Sequence, residues 1–316
     1  MTTAPSPRVV VLAGGLSHER DVSLRSGRRV ADALRSVGVD VSVHDVDSDL
    51  VPALTELRPD LVWPLLHGTS GEDGSVRDVV RMLGLKLLGA GPRESRVAWS
   101  KPIAKTVVAR AGLSTPDFVT LPQSLFRELG ARQVLDVIVA RLGLPLVVKP
   151  SRGGSALGVT LVTSADELPQ AMVDCFAYSD TALLEVAVLG TEVALSVVDL
   201  GDGPFALPPV EIVTEGPYDY DARYNPGRTE YFAPARLSDD VSRAVIGTAL
   251  AAHRALGLSG LSRTDLIVDE AGTVWFLEVN VAPGMTETSL LPQAAEAAGL
   301  SLGALYRSMV DAALAR

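Results

Sequence analysis

Val9 to Leu12 is a short, wholly apolar run that ends in Gly14-Gly15, and this pairing constrains the fold more than any other feature. A strand without polar alternation is buried on both faces, as in a parallel sheet covered by helices on each side. Apolar residues at near-helical spacing follow through Leu24, Val30, Ala31 and Leu34, then further apolar runs at Val39–Val43 and Leu61–Leu66. Alternation of this kind predicts a doubly wound parallel sheet over about the first 90 residues. Gly89-Ala90-Gly91-Pro92 then breaks the pattern.

Beyond that break the reading changes character. One long helix is expected over Arg93–Ala111, another near Ala131–Leu142, and a strand at Leu146–Lys149 running into a glycine loop. Ser164-Ala165-Asp166-Glu167 has the form of a capping box. Strands dominate Ala182–Val198 and Ala206–Val213, a helix covers Ser238–Leu256, and Leu266–Val268 pairs with Val274–Val279 around Glu270-Ala271-Gly272. The remainder is therefore α+β with antiparallel strands, interrupted by an irregular, tyrosine-rich segment at about 214–235. Three units are expected: 1–96, 97–184 and 185–316.

Charge and composition exclude several functions. The 316 residues carry 28 basic against 38 acidic side chains, a net charge of −10 that argues against nucleic-acid binding. No apolar stretch approaches the ~20 residues of a membrane span, and the N-terminus lacks the pattern of a signal peptide. Cys175 is the sole cysteine, which fits a reducing cytoplasm. Arginine supplies almost all of the basic charge, so the four lysines, Lys86, Lys101, Lys105 and Lys149, draw scrutiny.

Several clusters could carry chemistry. Ser151-Arg152-Gly153-Gly154-Ser155-Ala156-Leu157-Gly158 follows Lys149 between two strands, where converging backbone N–H groups, a hydroxyl and an ammonium suit a phosphate. A plain hairpin turn is the alternative. Asp265, Glu278 and Asn280 fall at neighbouring strand ends, with Glu278 and Asn280 on one face, a hard-oxygen set suited to Mg²⁺ shared with phosphates. Arg263 can face the same space, and a solvated strand end is the competing explanation. Glu19 and His67 follow strands of the first sheet, where ligands dock, although Glu19 would also complement a helix N-terminus. Tyr218 to Tyr224 lies in the longest irregular segment, consistent with a lid.

In this order, the motifs resemble those of the D-alanine–D-alanine ligases of the ATP-grasp superfamily. The residues carrying the resemblance are Gly14 to Leu24, Leu66-His67-Gly68 with Gly71-Glu72-Asp73-Gly74, and Lys149-Pro150-Ser151. The tyrosine segment, Arg263-Thr264-Asp265, Glu278-Val279-Asn280 and Pro283-Gly284-Met285-Thr286 complete the set. The resemblance implies an ATP-grasp fold with an N-terminal Rossmann-like domain, and ligation of two D-alanines through an acyl phosphate for peptidoglycan precursors. It implies ATP contacts from Lys101, Lys149, Ser151, Glu185, Val188 and Glu192, and two Mg²⁺ ions, or Mn²⁺ in their place, on Asp265, Glu278 and Asn280. Val22, His67, Ser289 and Leu290 would contact the amino acids, with Glu19 receiving the first ammonium. Arg263 and the Gly284 N–H would stabilise the oxyanion, and a Glu19–Ser155–Tyr224 chain would close the lid. A cytoplasmic homodimer is implied.

The chain departs from the family pattern at Arg223, where the lid usually carries lysine, at Ala156 in place of a second serine, and at Val281 in place of threonine. A related amino-acid ligase of other specificity, such as a D-alanine–D-lactate ligase, is the nearest alternative; Tyr224 speaks against the lactate version. A Rossmann dehydrogenase could use Asp45 or Asp47 on a ribose, but Gly14-Gly15 is not its glycine fingerprint.

Overall fold

The computed structural model of the chain describes residues 6–214 and 228–316. Tyr224 and Arg223, expected in a lid, lie outside the described residues.

The first sheet contains β1 (Arg8–Leu12), β2 (Asp40–His44) and β3 (Leu61–Pro64), parallel in the order β2-β1-β3. Helices α1 (Arg20–Ser36), α2 (Leu50–Leu57), α3 (Thr69–Glu72) and α4 (Ser75–Met82) accompany it. Val9 and Val11 enter one apolar core, while Val10 and Leu12 enter another on the opposite face. Burial on both faces is the physical reason for the unbroken apolar run. Beyond α4, the segment Leu85–Leu88 contributes a single parallel bridge, Val62 to Leu87.

The expected helix Arg93–Ala111 is two helices, α5 (Pro92–Trp99) and α6 (Lys101–Arg110). Ser100 between them is extended, and Pro102 follows at the second position of α6. In one continuous helix Pro102 would have no N–H for the Ala98 carbonyl and its ring would clash with that group, whereas proline is accepted in a first turn, so the helix breaks and restarts. Apolar periodicity runs through such a break without interruption, which is why the sequence reads as one helix.

The second sheet has β4 (Phe118–Pro122), β5 (Leu146–Pro150), β6 (Thr160–Val162) and β7 (Thr181–Val186), antiparallel in the order β4-β7-β5-β6. Helices α7 (Gln123–Leu129), α8 (Ala131–Leu142) and α9 (Leu168–Phe176) close its core. The capping box is present: Ser164 and Glu167 bond reciprocally at a single 3₁₀ turn that leads into α9.

The third sheet contains β8 (Thr191–Asp199), β9 (Pro204–Ala206), β10 (Val210–Thr214), β11 (Thr229–Phe232), β12 (Leu261–Val268) and β13 (Val274–Asn280). Its order is β11-β10-β8-β12-β13, with β9 also on β8. Strand β11 occupies part of the segment expected to be irregular; four residues flanked by Gly, Arg and Pro give no pattern until β10 pairs with them. Helix α10 (Asp239–Ala255), capped by the Ser238 side chain, packs with α5 and α6 on β8, β12 and β13. Finally α11 (Leu290–Ala297) and α12 (Leu302–Ala315) return to the first sheet, where Tyr306 meets Trp63 edge to face at 5.4 Å. The boundary read from sequence at 184/185 falls inside β7.

Candidate functional site

Two adjoining cavities lie between the first sheet, the β5–β6 loop and the open face of β12 and β13. The larger holds about 310 Å³ and the smaller about 50 Å³; Lys101, Gly153, Gly154 and Glu278 line both. On β12 the side chains of Asp265 and Ile267 face the larger cavity and Arg263 the smaller, while Leu266 and Val268 pack into the core behind. Period-two alternation is enough to place them so. Asp265 lies within β12, not before it as the sequence reading had it, because β12 begins four residues earlier at Leu261.

Across the ladder, Arg263 is opposite Asn280 and Asp265 opposite Glu278, whereas Leu266 is opposite Phe276. Leu277 is the extra residue of a β-bulge, and it lines the larger cavity next to Glu278. Arg263 holds Asp265 in a two-pronged pair at 2.7 and 2.8 Å. Lys101 Nζ lies 3.0 Å from Glu278 and donates to Gly153 O at 2.6 Å. The break before α6 puts Lys101 at the helix start, where its backbone N–H donates to Ser151 O.

Behind this row is a buried charge cluster. Glu185 sits between Lys149 at 2.5 Å and Lys105 at 2.8 Å, all three shielded from solvent. Burial alone would lower the Lys149 pKa, but Glu185 and then Glu278 outweigh it and the net shift is upward. Burial drives the Lys105 ammonium down to about 8 despite Glu185. Burial works against the Glu185 carboxylate, but its two lysines overcome that penalty and depress its pKa. With Lys105 behind Glu185, the Lys149 ammonium is held in the wall of the larger cavity, where it can meet an anion. Of the structural or solvated roles open to Lys105 from its spacing, the structural one holds: its side chain is fully enclosed and lies over Phe118 at 5.3 Å.

The smaller cavity is lined by Glu19, His67, Glu72, Ser155, Arg263, Asn280 and Gly284. Ser155 Oγ donates to Glu19 across 136 residues of sequence. Ser155 and Ala156 both take left-handed φ angles, 52° and 55°, a conformation that glycine adopts without strain and that recurs at ligand clamps. Burial, with the negative charge of Glu19 second, pushes the Glu72 carboxyl up to about 8. Burial lowers the His67 pKa, so the ring is neutral. Glu72 received no role from the sequence; its burial, which single-sequence reading cannot see, is what distinguishes it.

Among the expected residues, Val188 and Glu192 line the larger cavity with Lys149 and Glu185. Ser151 and Val22 are buried and do not line either cavity. Ser289 and Leu290 stand at the start of α11, also off both linings; Ser289 Oγ accepts from the Thr286 N–H at 2.9 Å. A Cβ on Gly284 would stand 2.7 Å from that hydroxyl, so any larger residue there must displace the Ser289 side chain from its bond to Thr286. Asp45, weighed as a ribose ligand, instead binds Arg20 and accepts from the Gly15 N–H, closing the first glycine turn.

Asp265 and Glu278 face one another on adjacent strands and Asn280 follows on the same side, so the oxygen donors fit Mg²⁺. Among the described residues no group of three or more His, Cys, Asp or Glu side chains could enclose a metal. Two carboxylates and an amide suit an ion whose remaining positions belong to phosphate and water.

Residues 107–311 match the family described as D-ala D-ala ligase C-terminus. A D-alanine–D-alanine ligase of Gloeobacter violaceus is 39% identical over 309 residues, covering 97% of this chain and 99% of its own. One from Anaeromyxobacter sp. is 40% identical over 314 residues, covering 99% of each chain. A D-Ala:D-Ser ligase (VanG) of Enterococcus faecalis is similar in structure, with TM-score 0.85 and 27% identity over 98% of this chain and 100% of its own. A D-alanine–D-alanine ligase of Bacillus anthracis complexed with ATP has TM-score 0.82 and 27% identity over 98% of each chain. Fold, cavities and full-length similarity agree: the chain belongs to the D-alanine–D-alanine ligase family of ATP-grasp enzymes.

Proposed function

We propose that the protein joins two D-alanine molecules into D-alanyl-D-alanine, using ATP and forming ADP and phosphate, for peptidoglycan precursors. The observation that carries this reading is the junction of the two cavities. There a phosphate-sized row of Lys101, Gly153 and Gly154 meets an amino-acid-sized space ending at Glu19.

ATP occupies the larger cavity, its base toward Val188 and its ribose toward Glu192. Lys101 and Lys149 neutralise the phosphates under the glycine loop, with Glu185 fixing Lys149 from behind. Asp265, Glu278 and Asn280 hold the Mg²⁺ ions, which supply charge neutralisation to the transferring phosphoryl group when bound. The first D-alanine places its ammonium against Glu19, and its carboxylate takes the γ-phosphoryl group to give an acyl phosphate. The amine of the second D-alanine attacks the acyl carbon, and phosphate leaves as the amide bond forms. Arg263 and the Gly284 N–H stabilise the oxyanion formed in that attack, a task for which single donors are worth about 3–4 kcal/mol. Ser155, bonded to Glu19, covers that end of the site and keeps water from the acyl phosphate. The three sheets, with boundaries near 96 and between β7 and β8, are the three functional units. The enzyme works as a cytoplasmic homodimer in this reading.

A coupled ADP-release assay with D-alanine, D-serine, D-lactate and L-amino acids tests the proposal. D-Alanine alone should support ADP release with D-alanyl-D-alanine as product. No turnover on D-alanine alone, with turnover when D-alanine is combined with D-serine or D-lactate, would reassign the second substrate.

A further inference from the structure

Gly284 lies in a loop that is tied on both sides to the first sheet and its helices. His67 Nδ1 is 2.9 Å from the Ala282 carbonyl oxygen, which can only accept, so Nδ1 carries the ring hydrogen and donates. Nε2 is then the acceptor, 3.2 Å from Ser26 Oγ, whose hydroxyl donates to it. Ser26 Oγ in turn accepts from the Met285 backbone N–H at 3.1 Å. Ser26 and Met285 are fully enclosed and His67 is nearly so, hence water does not compete for these bonds. Two residues brought in from far along the chain thus pin the backbone immediately before and after Pro283-Gly284.

We propose that Ser26 is a positioning residue for the proposed ligation: through Met285, and through His67 on Ala282, it holds the Gly284 N–H where the oxyanion forms. This rests on the reading of Gly284 as an oxyanion donor. Ser26 itself lines neither cavity, so it does not touch substrate. It sits on α1 seven residues after Glu19, the residue that begins the helix, which puts the two about two turns and ~10 Å apart on the same face. One rigid helix therefore carries the acceptor of the first ammonium and the tether of the oxyanion loop. The spacing between the two ends of the bound amino acid is set by that helix, whichever way the rest of the molecule moves.

The test compares Ser26→Ala with the wild type by steady-state kinetics and by hydrogen exchange of the segment 281–289. Loss of position by a fraction of an ångström to 1 Å costs on the order of 10–100-fold in rate. The expected result is a fall in kcat of about that size, with KM for ATP and for the first-site D-alanine within about two-fold of wild type. Exchange at the Met285 amide should accelerate, because its acceptor is gone. Unchanged kcat, or a loss appearing mainly in KM for ATP, overturns the proposal. Unaltered exchange at Met285 overturns the tether itself. If the wild type does not ligate D-alanine, the functional reading fails, while the exchange measurement still judges the tether on its own.

Discussion

At the scale of single residues, the site depends on a few side chains whose environment decides their charge. Glu72 is the clearest. Its carboxyl is held near 8 by burial first and by Glu19 second, against an ordinary value of 4.5. Between those two values the folded protein binds the proton more tightly than the unfolded chain does. Its contribution to stability is therefore complete below about pH 4.5, declines as pH rises toward 8, and is level above, with a limiting slope of about 1.4 kcal/mol per pH unit. Glu72→Gln, which cannot ionise, should lose that decline, so its melting temperature should gain on the wild type steadily from pH 5 to pH 8. Parallel curves for the two proteins over this range would refute the assignment. Lys105 teaches a different lesson. It is one helical turn from Lys101, and spacing alone makes it look like a neighbour on a solvated face. The structure encloses it completely against Glu185, because α6 packs beside β13 and Glu185 reaches it from β7, inside the second sheet. Whether a lysine on a helix meets water or a carboxylate depends on what packs there, and no local pattern encodes it.

At the scale of elements, the first helix is held unusually close to its sheet. A Cβ on Gly27 would stand 2.4 Å from Cβ of Ala13, so α1 approaches the end of β1 only because glycine is there. Gly27→Ala gains about 1 kcal/mol of helix propensity but must displace the helix, and overpacking of this kind costs about 1–3 kcal/mol. The expected net result is a melting temperature lower by a few degrees, together with a raised KM for D-alanine, because Glu19 begins the displaced helix. A variant as stable and active as the wild type would show that the approach is not needed. Much at this scale was legible beforehand. The unbroken apolar run in β1, the glycine loop between β5 and β6, and the hairpin of β12 and β13 all follow from local pattern. The break at Ser100 and the bulge at Leu277 were not, although both matter: the first aims Lys101 and the second puts Leu277 beside Glu278 on the larger cavity. Each is a departure from regular geometry made worthwhile by a partner elsewhere, Ser151 for the one and β12 for the other.

At the scale of the whole molecule, three sheets converge on one pair of cavities, and the C-terminal helices close back onto the N-terminal sheet. The residues that meet there come from positions as far apart as Glu19 and Gly284. Ligand binding to such a junction stabilises the folded state by mass action, about 2.7 kcal/mol at a hundredfold excess over Kd. Mg·ATP should accordingly raise the melting temperature and NAD should not; stabilisation by NAD, or none by Mg·ATP, would contradict the nucleotide assignment.

The amino-acid sequence by itself determined the parallel opening, the antiparallel remainder, the glycine loop after Lys149 and the acidic set on β12 and β13. These are properties of neighbouring residues: alternation, helical spacing and turn chemistry act over a few positions. Only the tertiary structure decided that Glu185 is shared between two buried lysines, that burial raises the pKa of Glu72, that Asp45 closes a turn, and that Ser26 and His67 hold the Gly284 loop. Each of those depends on burial and on a partner brought from elsewhere in the chain, and the free energy of a charge or a hydrogen bond is set by that environment.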